Sequence, residues 1–209
     1  MRSRWLGVVI TALVIAGSVW AYPRLPATVA THWNVRGEPN GFSPRWLAVS
    51  FIPAVMVLLT GVLQILPRTD RGGDAARFTE SCWLIVNAII LFAGMLHLAI
   101  VGNGAGAPLS VPDLFPLGLG LGFLVAGNVL GRVAPNGAIG VRTPWTLASE
   151  SVWRATNRTA GRLCGLAGII LLSTAFVPRV TTMAVVVLAV AFIAVVPVVQ
   201  SYVLWRREP

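Results

Sequence analysis

Few side chains in this sequence could do chemistry. There are two histidines, two cysteines and seven carboxylates among 209 residues. His32 and Glu38 share one polar segment, while His97 and Asp113 flank another. Gathered at one face, two imidazoles and two carboxylates could hold a metal or relay protons. Nothing in their spacing demands it, and a neutral His97 hydrogen-bonded to a neighbouring helix is the more ordinary outcome. No HExxH pair and no nucleophile–base arrangement is present, so an enzyme is not expected. Cys82 and Cys164 form no CxxC or Cys/His cluster, so no metal site can be argued from them. Both lie at the cytoplasmic edges of apolar runs in the topology below, where a disulfide is not expected. No cofactor is implied.

Two polar segments carry the remaining information. The first, Tyr22–Arg45, holds Leu25-Pro26 and then Thr28 to Gly41. If this piece is extended, Thr28, Ala30, His32 and Asn34 share one face. Pro39-Asn40-Gly41 reads as a turn. Its 24 residues exceed what a connector needs, so His32, Asn34, Glu38 and Asn40 are candidate contacts for an external ligand. Interfacial anchoring by His32 and Trp33 is the simpler alternative. The second segment, Arg132–Arg162, contains Asn136 and the octet Gly140-Val-Arg-Thr-Pro-Trp-Thr-Leu147. A short helix is expected over Ala148–Ala160, with Glu150, Arg154, Arg158 and Arg162 in one row at i,i+4 spacing. Such a helix can lie in the headgroup plane with its Arg toward anionic lipid, or offer a protein-contact surface.

The elements that must position these segments are membrane helices. Apolar residues make up 56% of the chain and charged residues 11%, with a mean hydropathy of +0.79. A soluble domain carries about a quarter charged residues. Six runs are long and apolar enough to cross a bilayer core of about 30 Å: Trp5–Ala21, Trp46–Leu66, Ser81–Val101, Leu114–Gly131, Leu163–Pro178 and Val180–Leu204. None contains Asp, Glu or Arg, because a central charge costs about 2.5–3.5 kcal/mol on insertion. The fifth run is short and can begin earlier if Arg162 snorkels to the interface. Pro178–Arg179 alone separates it from the sixth. Pro53, Pro116 and Pro197 fall within runs, as membrane helices tolerate.

All sixteen basic residues are Arg. With the N-terminus inside, twelve face the cytoplasm, and only Arg24, Arg36, Arg45 and Arg179 face outward. That bias sets an N-in, C-in orientation. Trp5, Trp20, Trp46, Trp83, Tyr202 and Trp205 near the span ends suit an interfacial belt. A rival reading makes the first run a signal peptide with a cleavage site at Val19-Trp20-Ala21; the sidedness downstream is unchanged. The net charge of +9 is dispersed between apolar runs, so direct nucleic-acid binding is not expected.

The second segment resembles the SdpI-type membrane proteins, named for bacterial immunity to a secreted toxic peptide. The resemblance is carried by Gly127-Asn128, Pro135-Asn136, Gly140, Arg142, Thr143, Pro144 and Trp145 within the octet, Val152-Trp153 and Thr156-Asn157-Arg158. Asn157 stands where His is usual in that signature. The first segment resembles the small amino-terminal domain often joined to this family, through Leu25-Pro26, His32-Trp33-Asn34, Gly37 and Pro39-Asn40-Gly41. The resemblance implies protection of a cell membrane against a secreted antimicrobial peptide, with ligand sensing. It also implies, as a partner, a cytoplasmic transcriptional repressor held at the membrane. A small transporter is the alternative, suggested by six spans and helix prolines.

The expected architecture is therefore an all-α polytopic membrane protein. Residues 1–110 form an amino-terminal half with spans one to three. Residues 111–209 form an SdpI-like half with spans four to six. Arg36-Gly-Glu-Pro-Asn-Gly41 and Arg132-Val-Ala-Pro-Asn-Gly137 share a pattern. Three spans separate them, as a 3+3 inverted repeat would require; a coincidence of turn residues is the simpler explanation.

Overall fold

A computed structural model describes residues 3–65 and 75–208. Leu66, Arg68 and Arg71, read from sequence as a span end and loop charges, lie outside the described residues. Among the described residues seven α-helices and one hairpin follow in order: α1 Ser3–Ala21, β1 Thr28–Trp33, β2 Pro39–Pro44, α2 Arg45–Ile65, α3 Ala75–Gly104, α4 Val111–Leu130, α5 Pro144–Ala148, α6 Glu150–Ser173 and α7 Arg179–Trp205. All but α5 are long and apolar enough to cross a membrane.

Polarity is arranged as a bilayer demands. Leu13, Val19, Phe51, Leu58 and Val187 are exposed on the helix surfaces, whereas Thr11, Ser18, Asn87 and His97 are buried. Without a hydrophobic drive between helices in lipid, close packing and interhelical hydrogen bonds must hold them. The Thr11 and Thr60 hydroxyls meet at 3.2 Å between α1 and α2. Ser18 donates to the Val14 carbonyl, so His97 Nε2–H donates to Ser18 Oγ at 2.7 Å between α1 and α3. The α1, α2 and α3 helices pack on one another, and α3 packs also on α4.

The closest helix pair is α4 with α6. Glycines make it possible. A Cβ on Gly127 would stand 2.8 Å from the Gly161 carbonyl oxygen, and one on Gly168 would stand 2.7 Å from the Gly120 carbonyl oxygen. The helix backbones therefore touch, as small residues permit in membranes.

Three expectations need correction. The fold is not all-α, because Thr28–Pro44 forms an antiparallel hairpin. Thr28, Val29, Thr31 and Trp33 suit a pleated, half-buried strand. Val29 is buried in a cluster with Leu25, Ala99 and Val101, while Thr28 and His32 face outward. Pro39-Asn40-Gly41 opens β2 rather than turning. The turn forms earlier because Asn34 Oδ1 accepts the N–H groups of Arg36 and Glu38, and Gly37 takes φ +80°. The helix expected over Ala148–Ala160 is not separate. A capping Ser149 starts α6, which runs unbroken into the fifth span and carries Arg154, Arg158 and Arg162 on its exposed stripe. A helix continuous with a span does not lie flat in the headgroup plane.

The packing gives the inverted repeat no support. In the first trio the third helix contacts both others most, whereas in the second the middle helix, α6, does so. The two Pro-Asn-Gly pieces also differ, one in a strand and the other in an irregular loop.

Candidate functional sites at the two ends of the bundle

The hairpin marks one end of the bundle. His32 Nδ1 lies 2.6 Å from Asn40 Oδ1 across the strands, and Asn34 Nδ2 donates to Glu38 Oε2 at 2.8 Å across the turn. The four sequence candidates thus form two adjacent hydrogen-bonded pairs, with His32, Glu38 and Asn40 exposed. They do not gather with His97, which is buried between helices and bonded to Ser18. Among the described residues no group of three or more His, Cys, Asp or Glu could hold a metal.

Beside the turn lies a cleft of about 190 Å³. Asn34, Val35 and Gly37 form one wall, Asp113 and Pro116 of α4 another, and Thr174 and Thr182 at the α6–α7 corner a third. Of the sequence candidates, Asn34 of the hairpin and Asp113 of α4 reach it, while His97 does not. Thr174 and Thr182 were not legible as site residues, since no spacing links them to the hairpin.

The octet folds at the opposite end as a compact knot. Asn136 holds the approach loop by accepting from Ala138 and Ile139 N–H and donating to the Ala134 and Ile139 carbonyls. Gly140 adopts φ +124°, and a Cβ there would stand 2.7 Å from Asn157 Oδ1 and 2.9 Å from the Trp153 ring. Asn157 Oδ1 accepts from Val141 N–H at 2.7 Å while Nδ2 donates to the Trp153 carbonyl. Trp153, wholly buried, donates its indole N–H to the Val133 carbonyl at 2.9 Å. Thr143 caps α5 in a reciprocal pair with Thr146, and Pro144 fits the first turn. Thr146 also donates to the Val141 carbonyl at 2.9 Å.

Trp145 docks the knot on α7. Its indole N–H donates to Ser201 Oγ, and its ring meets Tyr202 edge-on at 5.4 Å and Trp205 at 6.4 Å. Glu208 closes the clasp by accepting from Ser149 and Ser151. Those two hydroxyl donors hold the Glu208 carboxyl below its usual range. Ser201 and Glu208 were missed because nothing in sequence links the chain terminus to the octet.

Most octet residues therefore build and dock the loop, and Asn157 supplies a hydrogen-bond acceptor rather than a titrating group. Arg142 differs. It is exposed on the fixed loop and has no ion pair among the described residues. Asn128 is exposed near the end of α4, and Arg158 is exposed on α6; neither joins the knot.

The SdpI/YfhL protein family matches residues 132–201, which hold the knot, α6 and most of α7. The domain of unknown function DUF1648 matches residues 9–57, which hold most of α1, the hairpin and much of α2. The chain is 24% identical to the immunity protein SdpI of Bacillus subtilis (strain 168), over 99% of this chain and 98% of that protein. No solved structure matches. The chain thus resembles SdpI-type membrane proteins, with a segment similar to the SdpI/YfhL family preceded by one similar to the domain DUF1648.

Proposed function

We propose that this chain is a multi-pass protein of the cell membrane that protects the cell against a secreted toxic peptide. The observation that carries the reading is similarity to an immunity protein along nearly the whole of both chains. The positive-inside bias of Arg supports placing the hairpin outside and the knot in the cytoplasm. In that orientation the hairpin meets the peptide first. The outward-facing His32, Glu38 and Asn40, with Asn34 beside the cleft, offer donors and acceptors to an extended backbone or polar side chains.

The cleft joins this surface to the α6–α7 corner. The same two helices carry the knot at their other ends, through Asn157 and Trp153 on α6 and Ser201 on α7. A peptide held at the cleft would bear on the helix pair that fixes the presentation of Arg142. This linkage supports a sensing role, with Arg142 offered to a cytoplasmic repressor. The transporter alternative has weaker support, since the two larger grooves between helices are lined almost wholly by apolar side chains.

Survival of a peptide-sensitive bacterium tests the reading. Expression of the chain should raise survival. Replacing His32 or Glu38 by Ala should lower it at unchanged protein level. Replacing Arg142 should abolish signalling to a repressor while leaving the protein folded. Unchanged survival on expression, against a panel of secreted peptides, would remove immunity from consideration.

A further inference from the structure

The exposed stripe of α6 changes character along its length. Arg154, Arg158 and Arg162 occupy it toward the knot, and Leu166, Ile169 and Ile170 occupy it beyond. Helical rise places Phe176 about 21 Å from Arg162 and about 27 Å from Arg158 along the axis. A hydrocarbon core of about 30 Å measured from Phe176 therefore leaves Arg158 about 3 Å and Arg162 about 9 Å inside its far edge, from which a long guanidinium side chain can snorkel to the headgroups. Arg154 is paired with Glu150. Arg158 and Arg162 have no acidic partner among the described residues.

A groove of about 330 Å³ runs between α6 and α7 at the level of the apolar part. Leu163, Leu166 and Ile170 line it from α6, and Leu188, Ala189 and Phe192 from α7. Leu166 lies one turn from Arg162 on the same row, so the end of the groove nearer the knot opens beside that guanidinium. An apolar channel whose α6 row continues into two guanidiniums without an acidic partner among the described residues matches a ligand with a hydrocarbon chain and a phosphate.

We infer that the α6–α7 groove holds an acyl chain of an anionic phospholipid whose phosphate is met by Arg162 and Arg158. Charge complementarity selects this occupant over a zwitterionic lipid, whose ammonium group would offset the attraction. The site does not depend on the immunity reading.

Native mass spectrometry of the detergent-purified chain tests it, with phosphatidylglycerol and phosphatidylcholine of identical acyl chains. One phosphatidylglycerol should stay bound per chain, at least about tenfold more tightly than phosphatidylcholine. Arg158→Gln with Arg162→Gln should weaken phosphatidylglycerol by roughly thirtyfold, toward the phosphatidylcholine value, given the usual contribution of two basic residues at a headgroup. Both substitutions are on exposed positions and leave the packing untouched. Ala189→Phe, which fills the groove, should weaken both lipids. Glycerol phosphate, a headgroup without chains, should not compete. Equal retention of the two lipids, an unchanged preference in the double variant, full competition by glycerol phosphate, or loss of a dimer instead of a lipid on Ala189→Phe would each overturn the inference.

Discussion

Gly140→Ala is the substitution that most sharply tests how the knot is built. At φ +124° any side chain is strained, which costs about 1–3 kcal/mol. The new Cβ would also stand 2.7 Å from Asn157 Oδ1, so Asn157 must swing away and release Val141 N–H. An orphaned amide costs about 1–3 kcal/mol more. The sum, about 2–6 kcal/mol, should raise the open population of the loop by roughly 30- to 20,000-fold, at 1.4 kcal/mol per decade. Trypsin cleavage between Arg142 and Thr143 in mild detergent, followed by mass spectrometry, reads that population. Asn157→Ala alone should open the loop by the orphaned-amide cost. The double variant should cost about 1–3 kcal/mol less than the sum of the singles, because the Val141 bond is lost only once and the clash disappears. Additive costs, or cleavage of Gly140→Ala at the wild-type rate, would refute the packing argument.

Other outcomes follow from the same geometry. Gly127→Ala should push α4 from α6 and lower stability in detergent by about 1–3 kcal/mol, because its Cβ meets backbone at 2.8 Å. Gly165→Ala, where a Cβ meets nothing within 4 Å, should change the thermal midpoint little. Ser18→Ala should leave His97 Nε2 without its partner and destabilise the bundle by about 1–3 kcal/mol, measured by reversible unfolding in mixed micelles. The clasp of Glu208 should depend on pH with a definite sign. Its folded value is lowered, so its contribution is complete above the unfolded carboxyl range and fades as pH falls through the folded value. Cleavage of the tail after Arg207 by a protease active in acid should therefore rise on acidification, and Glu208→Gln should show little such rise.

The spans were legible because lipid cannot solvate guanidinium or carboxylate, so charge marks each boundary. The fifth span was the exception. Its helix starts at Glu150, thirteen residues before the uncharged run, because the Arg row faces away from the packed side and can reach water. The hairpin was half legible. An extended piece with Thr28, Ala30, His32 and Asn34 on one face was among the readings, but the turn was misplaced, because Asn34 closes a loop that Pro39-Asn40-Gly41 only imitates. The motif gave the location of the knot but not its workings. That Trp153 and Asn157 reach back to Val133 and Val141 depends on a fold-back that no local pattern encodes. The cleft was illegible, since its walls come from three distant stretches.

Threading through the membrane underlies both sites, and cysteine accessibility in whole cells tests it most directly. Cys82 and Cys164 are buried, so background labelling is low. Val35→Cys at the hairpin turn and Leu147→Cys at the end of the octet are both at exposed positions. A membrane-impermeant maleimide should label Val35→Cys in intact cells and Leu147→Cys only after permeabilisation. The reverse pattern, or labelling of both in intact cells, would contradict the arrangement on which the account depends.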